Sequence, residues 1–327
     1  AQYCGAKYAI ATVNGTAALH VALKLAGVCN GDEVITQPLT FVATCNAINY
    51  CQAVPIFLDV DRDSMGLSPE AVAAWLDKNC RIEQEQCVNT ITGKVVRACV
   101  PMHTFGHPCR IEKLRQLCQK YHIKLIEDAA ESLGSRIGNS HSGTFGDFGV
   151  FSFNGNKIMT CGGGGMLVTD DSDLARQARH ITTTAKSVHD WEYSHDQVGF
   201  NYRMPNLNAA LGCAQLELLT EFILNKRQLA ARYEAFFQSM SITFFRERAG
   251  TTANYWLNAV MLEDRHQRDQ FLTETNHAGV MTRPAWQLMN RLPMYAHCQS
   301  DSLENAQWLE ARVVNIPSSV VGMKNEP

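Results

Sequence analysis

The sequence of 327 residues contains no uninterrupted apolar run that approaches the roughly 20 residues of a membrane-spanning helix. No signal peptide is visible. The opening AQYCGAKYAI leads directly into a strand-like segment, so we expect a helical segment to precede residue 1. The formal net charge of -3 leaves no electrostatic footprint for nucleic acid. We therefore predict a protein that binds neither a membrane nor nucleic acid.

The chain also lacks a Cys-x-x-Cys pair, although it contains 12 cysteines. Because they are scattered over a long chain, we expect reduced thiols in a cytoplasmic protein rather than a disulfide framework. Cys109 with His103 and His107 could be read as a metal cluster, but Gly106 and Pro108 interrupt that run and no fourth ligand is near in sequence. A turn at a strand end explains the run better, and we predict no metal site.

Hydrophobic residues make up 46% of the chain and charged residues 19%, which suits a substantial core in about two domains. Apolar strands alternate with helical stretches and no repeat is visible. This pattern is typical of a parallel β-sheet with crossover helices. Strands are predicted at residues 8–13, 33–36, 56–60, 95–101, 123–126 and 148–153, and helices at 17–25, 40–50, 69–76 and 111–121.

A long helical pattern over residues 206–238 contains the predicted change of domain. We assign residues 1–220 to a large domain and residues 221–327 to a small α+β domain that covers the functional site. In that second part, strands are predicted at 242–245, 255–261 and 281–284, and a polar helix at 267–276. Trp286 and His297 lie in its irregular stretches, where they could contact a substrate or could simply pack.

Lys157 is the only charged residue between Phe148 and Val168. It follows an apolar run and an Asn-Gly turn, and it precedes four glycines, whose backbone could approach a ligand closely because no side chain is in the way. A lysine isolated in this way is a candidate for amine chemistry, because partial burial favours the uncharged amine that forms Schiff bases. A loop lysine that hydrogen-bonds nearby carbonyls is the alternative.

Asp128 stands just after the predicted strand 123–126, and in open parallel sheets ligands bind at this carboxyl edge. A carboxylate here and the isolated lysine further along the chain fit pyridoxal phosphate. That cofactor needs a lysine for its aldehyde and an acid for its pyridine nitrogen. The alternative is that Asp128 caps a helix formed by the following AAES.

A turn of Asn14, Gly15 and Thr16 joins the predicted strand 8–13 to the helix 17–25. The free N–H groups and positive dipole end of such a helix suit a phosphate. The turn lacks both the Walker sequence and the G-x-G-x-x-G spacing of dinucleotide sites. Ordinary helix capping would also explain the junction.

Together these segments resemble the DegT/DnrJ/EryC1/StrS family of pyridoxal-phosphate sugar aminotransferases. The resemblance covers nearly the whole chain, with landmarks in the family's order: NGTAAL, GDEVITQPLTFVATCNAI, VPIFLDVD, PMHTFGHP, IEDAAES, GTFGDFGVFSFNGNK and GFNYRMPNLNAALGCAQLE. It implies the fold type I of pyridoxal-phosphate aminotransferases, an α/β fold. Its large domain has three α/β/α layers around a mostly parallel sheet, and its small C-terminal domain is α+β.

The resemblance also implies residue roles. Lys157 matches the lysine that forms the Schiff base, and Asp128 matches the partner of the pyridine nitrogen; both are expected to be catalytic. The cofactor-binding residues that it implies are Gly15, Thr16 and Ala17 at the phosphate turn, Phe41 on the ring face, Asp128, Glu131, Ser152, Lys157, and Asn201 from the neighbouring subunit. The role of Asn201 implies a homodimer with shared active sites.

The chain looks closest to the LegC-like branch of the family, whose members aminate nucleotide-linked 4-keto-6-deoxy sugars with glutamate on the way to bacillosamine and legionaminic-acid-type sugars. The expected substrate is a UDP-linked 4-keto-6-deoxy-N-acetylhexosamine. Many relatives have histidine at the position of Asn154 and the sequence GEGG at 162–165, so a local carboxylate is missing here. Two other functions stay open: a dehydratase of the same fold, which would carry histidine in place of Lys157, and a non-catalytic sensor that retains the cofactor.

Overall fold

The computed structural model describes residues 1–240 and 242–322. In chain order the strands are β1 (Tyr8–Thr12), β2 (Glu33–Thr36), β3 (Val54–Phe57), β4 (Cys80–Glu83), β5 (Gln86–Asn89), β6 (Val96–Val100), β7 (Lys124–Asp128), β8 (Arg136–Ile137), β9 (Ser140–His141), β10 (Phe148–Ser152), β11 (Gly165–Thr169), β12 (Thr243–Phe244), β13 (Thr251–Thr252), β14 (Asn258–Met261), β15 (Arg283–Pro284) and β16 (Val313–Ile316). The α-helices are α1 (Gly15–Leu25), α2 (Val42–Tyr50), α3 (Pro69–Asn79), α4 (Ile111–Lys120), α5 (Ser172–Thr182), α6 (Asn206–Phe237), α7 (Arg265–His277) and α8 (Glu304–Glu310).

Seven strands form the large sheet, in the order β1-β11-β10-β7-β6-β2-β3. The strands from β10 to β3 pair in parallel, whereas β11 is antiparallel to both of its neighbours, β1 and β10. Because parallel strands end at one edge, β7, β10 and β6 bring their carboxyl ends together. The mostly parallel sheet predicted from the sequence is confirmed.

Helices cover both faces of this sheet. On one face α1, α2 and α5 bury a cluster that includes Leu19, Ile48 and Ile181 against the strands. On the other face α3 and α4 do the same with Trp75 and Leu114. The predicted three-layer α/β/α arrangement is therefore confirmed, and it leaves the strand ends as the open edge.

Side-chain caps explain where several helices begin. The side chain of Asn14 accepts a hydrogen bond from the first turn of α1, and Ser68, Asp171 and Asp264 do the same for α3, α5 and α7. Pro69 follows its cap directly, at a position where a missing N–H costs nothing. These are signals that the sequence carries locally.

The strand predicted at 56–60 is wrong in its bounds, since β3 spans Val54–Phe57. Pro55 lies inside β3, and it is tolerated because β3 is the last strand of the sheet. Leu58 and Val60 are buried beyond the end of the ladder. Between them, Asp59 accepts hydrogen bonds from the N–H groups of Asn305 and Ala306 at the start of α8.

A four-stranded antiparallel sheet, β12-β14-β16-β15, lies after α6 together with α7 and α8. It provides the β-rich C-terminal part that the sequence predicted. The domain division at residue 220 falls inside α6, which is continuous from Asn206 to Phe237, and it stays a prediction.

The helix α6 has a length and composition that would allow it to cross a membrane, with a mean hydropathy of 1.3 in its most apolar window. Length and composition alone are weak evidence for a span. Glu217 and Glu221 lie within this helix, and carboxylates are costly inside a bilayer. Only 6% of that window is buried within the chain, so α6 presents apolar surface that the described residues do not cover.

Candidate active site

A cavity of about 370 Å³ opens at the carboxyl edge of the large sheet. Asp128 ends β7, Ser152 ends β10, and the turn after β1 leads into α1, so three strand ends supply its wall. The lining residues are Asn14, Gly15, Thr16, Leu19, Phe41, Ala43, Met102, Asp128, Ala130, Glu131, Ser152, Asn154, Asn156, Lys157, Trp256 and Trp286. Seven of the nine predicted cofactor-binding residues are in this set.

Lys157 lies in the loop between β10 and β11, and its side chain is only 11% exposed. The Nζ atom is 3.5 Å from Oε1 of Glu131 and 4.1 Å from the ring centroid of Trp256. The amine therefore sits between a carboxylate and an indole face. This setting differs from the alternative in which a loop lysine bonds to neighbouring carbonyls.

Asp128 is buried at the end of β7, where its Oδ2 accepts a hydrogen bond from the Thr44 hydroxyl at 2.7 Å and its Oδ1 accepts one from the Ala130 N–H at 3.2 Å. Burial raises the pKa of this carboxyl, while those two donors and the nearby Lys157 charge act in the opposite direction. Because burial disfavours an unpaired negative charge, a cationic ring nitrogen beside Asp128 would stabilise its ionised carboxylate. A turn, not a helix, follows Asp128, so the helix-cap alternative has no helix to cap.

The turn before α1 is tightly packed. Oδ1 of Asn14 accepts a hydrogen bond from the Ala17 N–H at 2.7 Å. A Cβ atom on Gly15 would lie 2.9 Å from Cβ of Ser152, so only glycine allows this approach of the two backbones. The first turn of α1 and the Ser152 hydroxyl thereby face the same end of the cavity, as an anion site requires.

Two aromatic residues, Phe41 and Trp286, also line the cavity. Phe41 precedes α2 and is 49% exposed, and its ring lies 6.4 Å from that of Trp286. Trp286 in turn lies 4.9 Å from the buried Phe105. The sequence left the role of Trp286 open, and the structure includes it in the cavity wall. His297, the other candidate in that stretch, is exposed and does not line the cavity.

Glu131 is buried beside Lys157, and its Oε2 accepts a hydrogen bond from the Phe105 N–H at 2.8 Å. Burial raises the pKa of this carboxyl to about 7, and the Lys157 charge and the Phe105 N–H prevent a larger rise. Glu131 therefore changes its charge near neutral pH, next to the amine.

This raised pKa predicts a pH-dependent stability for the cofactor-free protein. The folded-state pKa of about 7 lies above the usual 4.5. The contribution of Glu131 to the free energy of unfolding is therefore fully present below about pH 4.5 and is lost as the pH rises through about 7. Glu131→Gln cannot ionise, so the free energy of unfolding of wild type relative to this variant should fall by about 2–3 kcal/mol from pH 5 to pH 8. Urea unfolding at both pH values measures this. Glu70→Gln, at an exposed position, is the control, and parallel pH profiles for wild type and Glu131→Gln would refute the burial effect.

Two predicted residues are not in the cavity wall. Ala17 is buried in α1 and its N–H already bonds to Asn14, so its predicted role at the phosphate is not supported by a free N–H. Asn201 is exposed and bridges Thr183 through its backbone. Asn201 lies outside the cavity of its own chain, and its contribution to the phosphate site of a neighbouring subunit stays a prediction.

The glycine run at 162–165 has a different role from the expected approach to a ligand, since none of its members lines the cavity. A Cβ atom on Gly165 would lie 2.4 Å from the backbone of Asn14, and one on Gly164 would lie 2.4 Å from the sulfur of Cys161. The run permits internal packing behind the phosphate turn.

Cys109, His103 and His107, which are close together in the sequence, have partners other than a metal ion. His103 and Glu127 are both buried, and Nε2 of His103 lies 3.0 Å from Oε2 of Glu127. Nδ1 of His103 accepts a hydrogen bond from the Cys109 N–H at 3.2 Å. His107 packs its ring edge-on against Phe245. Among residues 1–240 and 242–322 no group of three or more histidine, cysteine or acidic side chains is arranged to hold a metal ion, and all twelve cysteines are free.

The groups in the cavity fit pyridoxal phosphate. An amine for the aldehyde, a buried carboxylate for the ring nitrogen, helix N–H groups for the phosphate and a flat apolar face for the ring all converge on one space. Gly15 contributes to this fit, because the absence of a side chain there lets the start of α1 lie close to Ser152, which lines the same cavity.

Three residues that contribute to the site were not predicted from the sequence. Asn14 was recognised only as part of a turn, although its place before Gly-Thr and a helix is a capping signal. Thr44 lies in the first turn of α2, and no local pattern in the sequence indicates that it reaches Asp128. Trp256 comes from a distant part of the chain, and no local pattern predicts its contact with Lys157.

Comparisons with known proteins agree with this geometry. The model of the DegT/DnrJ/EryC1/StrS aminotransferase family matches residues 1–327. EpsN of Bacillus subtilis (strain 168), which carries the name of a pyridoxal phosphate-dependent aminotransferase, is 37% identical over 298 residues, 90% of this chain and 74% of EpsN. The GDP-perosamine synthase of Escherichia coli O157:H7 is 36% identical over 314 residues, 95% of this chain and 80% of the synthase. The crystal structure of a DegT DnrJ EryC1 StrS aminotransferase from Brucella abortus matches with a TM-score of 0.88 at 25% identity, covering 98% of this chain and 83% of that one.

Proposed function

This chain belongs to the DegT/DnrJ/EryC1/StrS aminotransferase family, and from that membership we propose that it moves the amino group of glutamate to C4 of a nucleotide-linked 4-keto-6-deoxy sugar. As a member of the family it is a pyridoxal-phosphate-dependent aminotransferase. The observation that carries the proposal is the convergence of Lys157, Asp128 and the α1 turn on one cavity at the strand ends.

Each side chain then has a chemical task. Pyridoxal phosphate, when bound, supplies an aldehyde that takes up an amino group and a ring that accepts electrons from the reacting carbon. Asp128 would hold the ring nitrogen in its protonated form, and Thr44 orients that carboxylate. Lys157 would hold the cofactor through its aldehyde, and the free amine of Lys157 would move a proton at the reacting carbon. Phe41 would cover the ring face.

Two rival functions are weaker. The dehydratases of this fold carry histidine where this chain has Lys157, so the lysine argues against deoxygenation. A sensor that merely retains the cofactor would have no need of an amine, a buried carboxylate and a phosphate turn together. The partners supported best are therefore glutamate and a nucleotide sugar.

For the sugar we propose a UDP-linked 4-keto-6-deoxy-N-acetylhexosamine, in amino-sugar biosynthesis of the bacillosamine or legionaminic-acid type. The support is the resemblance of three segments to the LegC-like branch: PMHTFGHPCRIEKL, SFNGNK with the glycine run, and NYRMPNLNAALGCAQLE. A GDP-linked 4-keto sugar is the second candidate, because proteins named GDP-perosamine synthase are 33–36% identical to this chain over 95–97% of its length.

A panel of UDP-, GDP- and dTDP-linked 4-keto-6-deoxy sugars, each incubated with glutamate, separates these candidates. We expect the UDP-linked N-acetylated substrate to give the highest kcat/KM, with the product read by mass and the position of the nitrogen by NMR. A preference for the GDP-linked sugar would replace the first candidate by the second. Amination at C3 would refute both assignments of the substrate while leaving the family assignment intact.

We further propose that the enzyme is a cytoplasmic homodimer whose two active sites are shared. The apolar surface of α6 supports a protein partner, since Leu207 is 87% exposed and Leu224 is 56% exposed within one chain. A second copy is the partner that fits, because Asn201 does not line the cavity of its own chain and C₂ dimers are the commonest soluble assembly.

Mixing two inactive variants tests this sharing. Lys157→Ala removes the amine from one chain, and Asn201→Asp introduces a negative charge where the other chain should meet the phosphate. In a mixed dimer one site would carry both changes and the other would carry neither, so activity should return to a large fraction of one wild-type site after refolding the variants together. Each variant refolded alone is the control. No recovery, in a mixture that contains mixed dimers by mass, would mean that Asn201 does not serve the partner's site.

A further inference from the structure

Trp256 contacts the lysine of the active site in two ways. Its ring face lies beneath Nζ of Lys157, at 4.1 Å from the ring centroid. Its indole N–H donates a hydrogen bond of 2.7 Å to the carbonyl of Asn156, the residue before the lysine. One side chain thus holds both the amine and the loop that carries it.

The backbone of Trp256 is itself firmly held. Its N–H donates to Oδ1 of Asn254 at 2.8 Å, and its carbonyl accepts a hydrogen bond from the buried Lys226 at 3.0 Å. Asn254 also donates to the carbonyl of Glu131 at 2.9 Å. Tyr255 lies between them and has a φ of 49°. Residues other than glycine adopt this backbone conformation rarely, and it persists where the surrounding structure enforces it.

The segment from Asn254 to Trp256 therefore connects the two groups nearest the amine. Asn254 fixes the backbone of Glu131, and Trp256 fixes the loop of Lys157. The Glu131 carboxylate and the indole face approach Nζ together, at 3.5 Å from Oε1 and 4.1 Å from the ring centroid. Tryptophan has the strongest attraction for a cation among the aromatic side chains, so this pair holds Nζ at a defined position.

We propose that Trp256 is a positioning residue that, with Glu131, defines the resting position of the Lys157 amine whenever that amine is not bonded to the cofactor. The proposal rests on the proposed role of Lys157. In that role the amine must leave the cofactor and return once per amino transfer, and a defined resting position keeps it within reach. Packing alone would require the bulk of Trp256 but neither the indole N–H bond nor the ring face under Nζ.

The test measures the reactivity of Lys157 in the cofactor-free protein. Wild type, Trp256→Leu, Trp256→Phe and Trp286→Leu are treated with trinitrobenzenesulfonate at one pH, and the modification rate of each lysine is followed by peptide mass spectrometry. The exposed Lys113 is the internal standard. Trp286 lines the same cavity and is packed against Phe41 and Phe105, so it is the matched control.

We expect Trp256→Leu to raise the rate at Lys157 by roughly 2- to 30-fold, the factor that the energy of a cation–π contact corresponds to. Trp256→Phe keeps an aromatic face but loses the N–H, so its rate should lie between those of wild type and Trp256→Leu. Trp286→Leu should leave the Lys157 rate unchanged.

Equal Lys157 rates in wild type and Trp256→Leu, or an equal rise in Trp286→Leu, would overturn the proposal. If Trp256→Leu does not fold, Trp256→Phe decides: a rate equal to that of wild type overturns the proposal and a raised rate supports it. Borohydride treatment of the wild-type holoenzyme separates this outcome from the proposed function. A cofactor that is not fixed on Lys157 refutes the role of the lysine, whatever the labelling rates show.

Discussion

Replacing Lys157 by alanine should abolish amino transfer, with kcat lower by a factor on the order of 10⁴ or more. The loss is large because the variant lacks both the group that bonds to the cofactor and the group that moves the proton. The measurement is steady-state turnover with glutamate and a 4-keto nucleotide sugar. In the same preparation, borohydride should fix the cofactor on the Lys157 peptide of wild type and on no peptide of the variant.

Lys113→Ala is the matched control, since Lys113 is exposed and paired with Glu70 at the protein surface. It should retain wild-type turnover. If Lys157→Ala turned over at the wild-type rate, the assignment of the amine would be wrong and the cavity would need another explanation.

Replacing Asp128 by asparagine should leave the cofactor bound but lower turnover by roughly 10- to 150-fold, the factor that corresponds to a hydrogen bond to a charged group. The carboxylate is buried, and the neutral amide cannot stabilise a protonated ring nitrogen. Visible absorbance after dialysis measures the bound cofactor, and turnover measures the chemistry.

Thr44→Val provides the control for this second variant. It removes the 2.7 Å hydrogen bond to Oδ2 but leaves the negative charge in position, so its loss of turnover should be clearly smaller. Near-normal rates in Asp128→Asn would show that the carboxylate has only a structural role at the end of β7.

The sequence predicted the centre of the site because its chemistry lies next to strand ends. Asp128 follows a buried apolar strand and Lys157 follows another, and parallel pairing of β7 with β10 brings those ends together. The phosphate turn was predictable for the same reason, since Asn14 and Gly15 join β1 to α1. In each case a local pattern and one topological rule are sufficient.

Contacts between distant segments could not be predicted in this way. The hydrogen bond from Thr44 to Asp128 and the contact of Trp256 with Lys157 depend on how helices and loops from separate parts of the chain are positioned. The glycine run shows the opposite failure. Four glycines in a row predicted a close approach of the backbone to a ligand. In the structure, glycine is needed at 164 and 165 because neighbouring protein atoms leave no room for a side chain.

Elements were missed where the pattern is polar or short. The amphipathic α5 and the hairpin of β4 and β5 have mixed polar sequences, and neither was predicted. The shift of β3 came from Pro55, which argues against a strand in general but is tolerated at a sheet edge. These omissions affect the frame of the molecule and not the cavity.

The most direct test of the central claim is the fate of ¹⁵N-labelled glutamate nitrogen. Wild-type protein loaded with pyridoxal phosphate is incubated with the labelled donor and a UDP-linked 4-keto-6-deoxy-N-acetylhexosamine, and the sugar is examined by mass and NMR. We predict that the label appears on C4 of the sugar and that 2-oxoglutarate forms in equal amount, with neither product in Lys157→Ala. Labelled nitrogen that stays on glutamate with every 4-keto nucleotide sugar of the panel would contradict the proposed function.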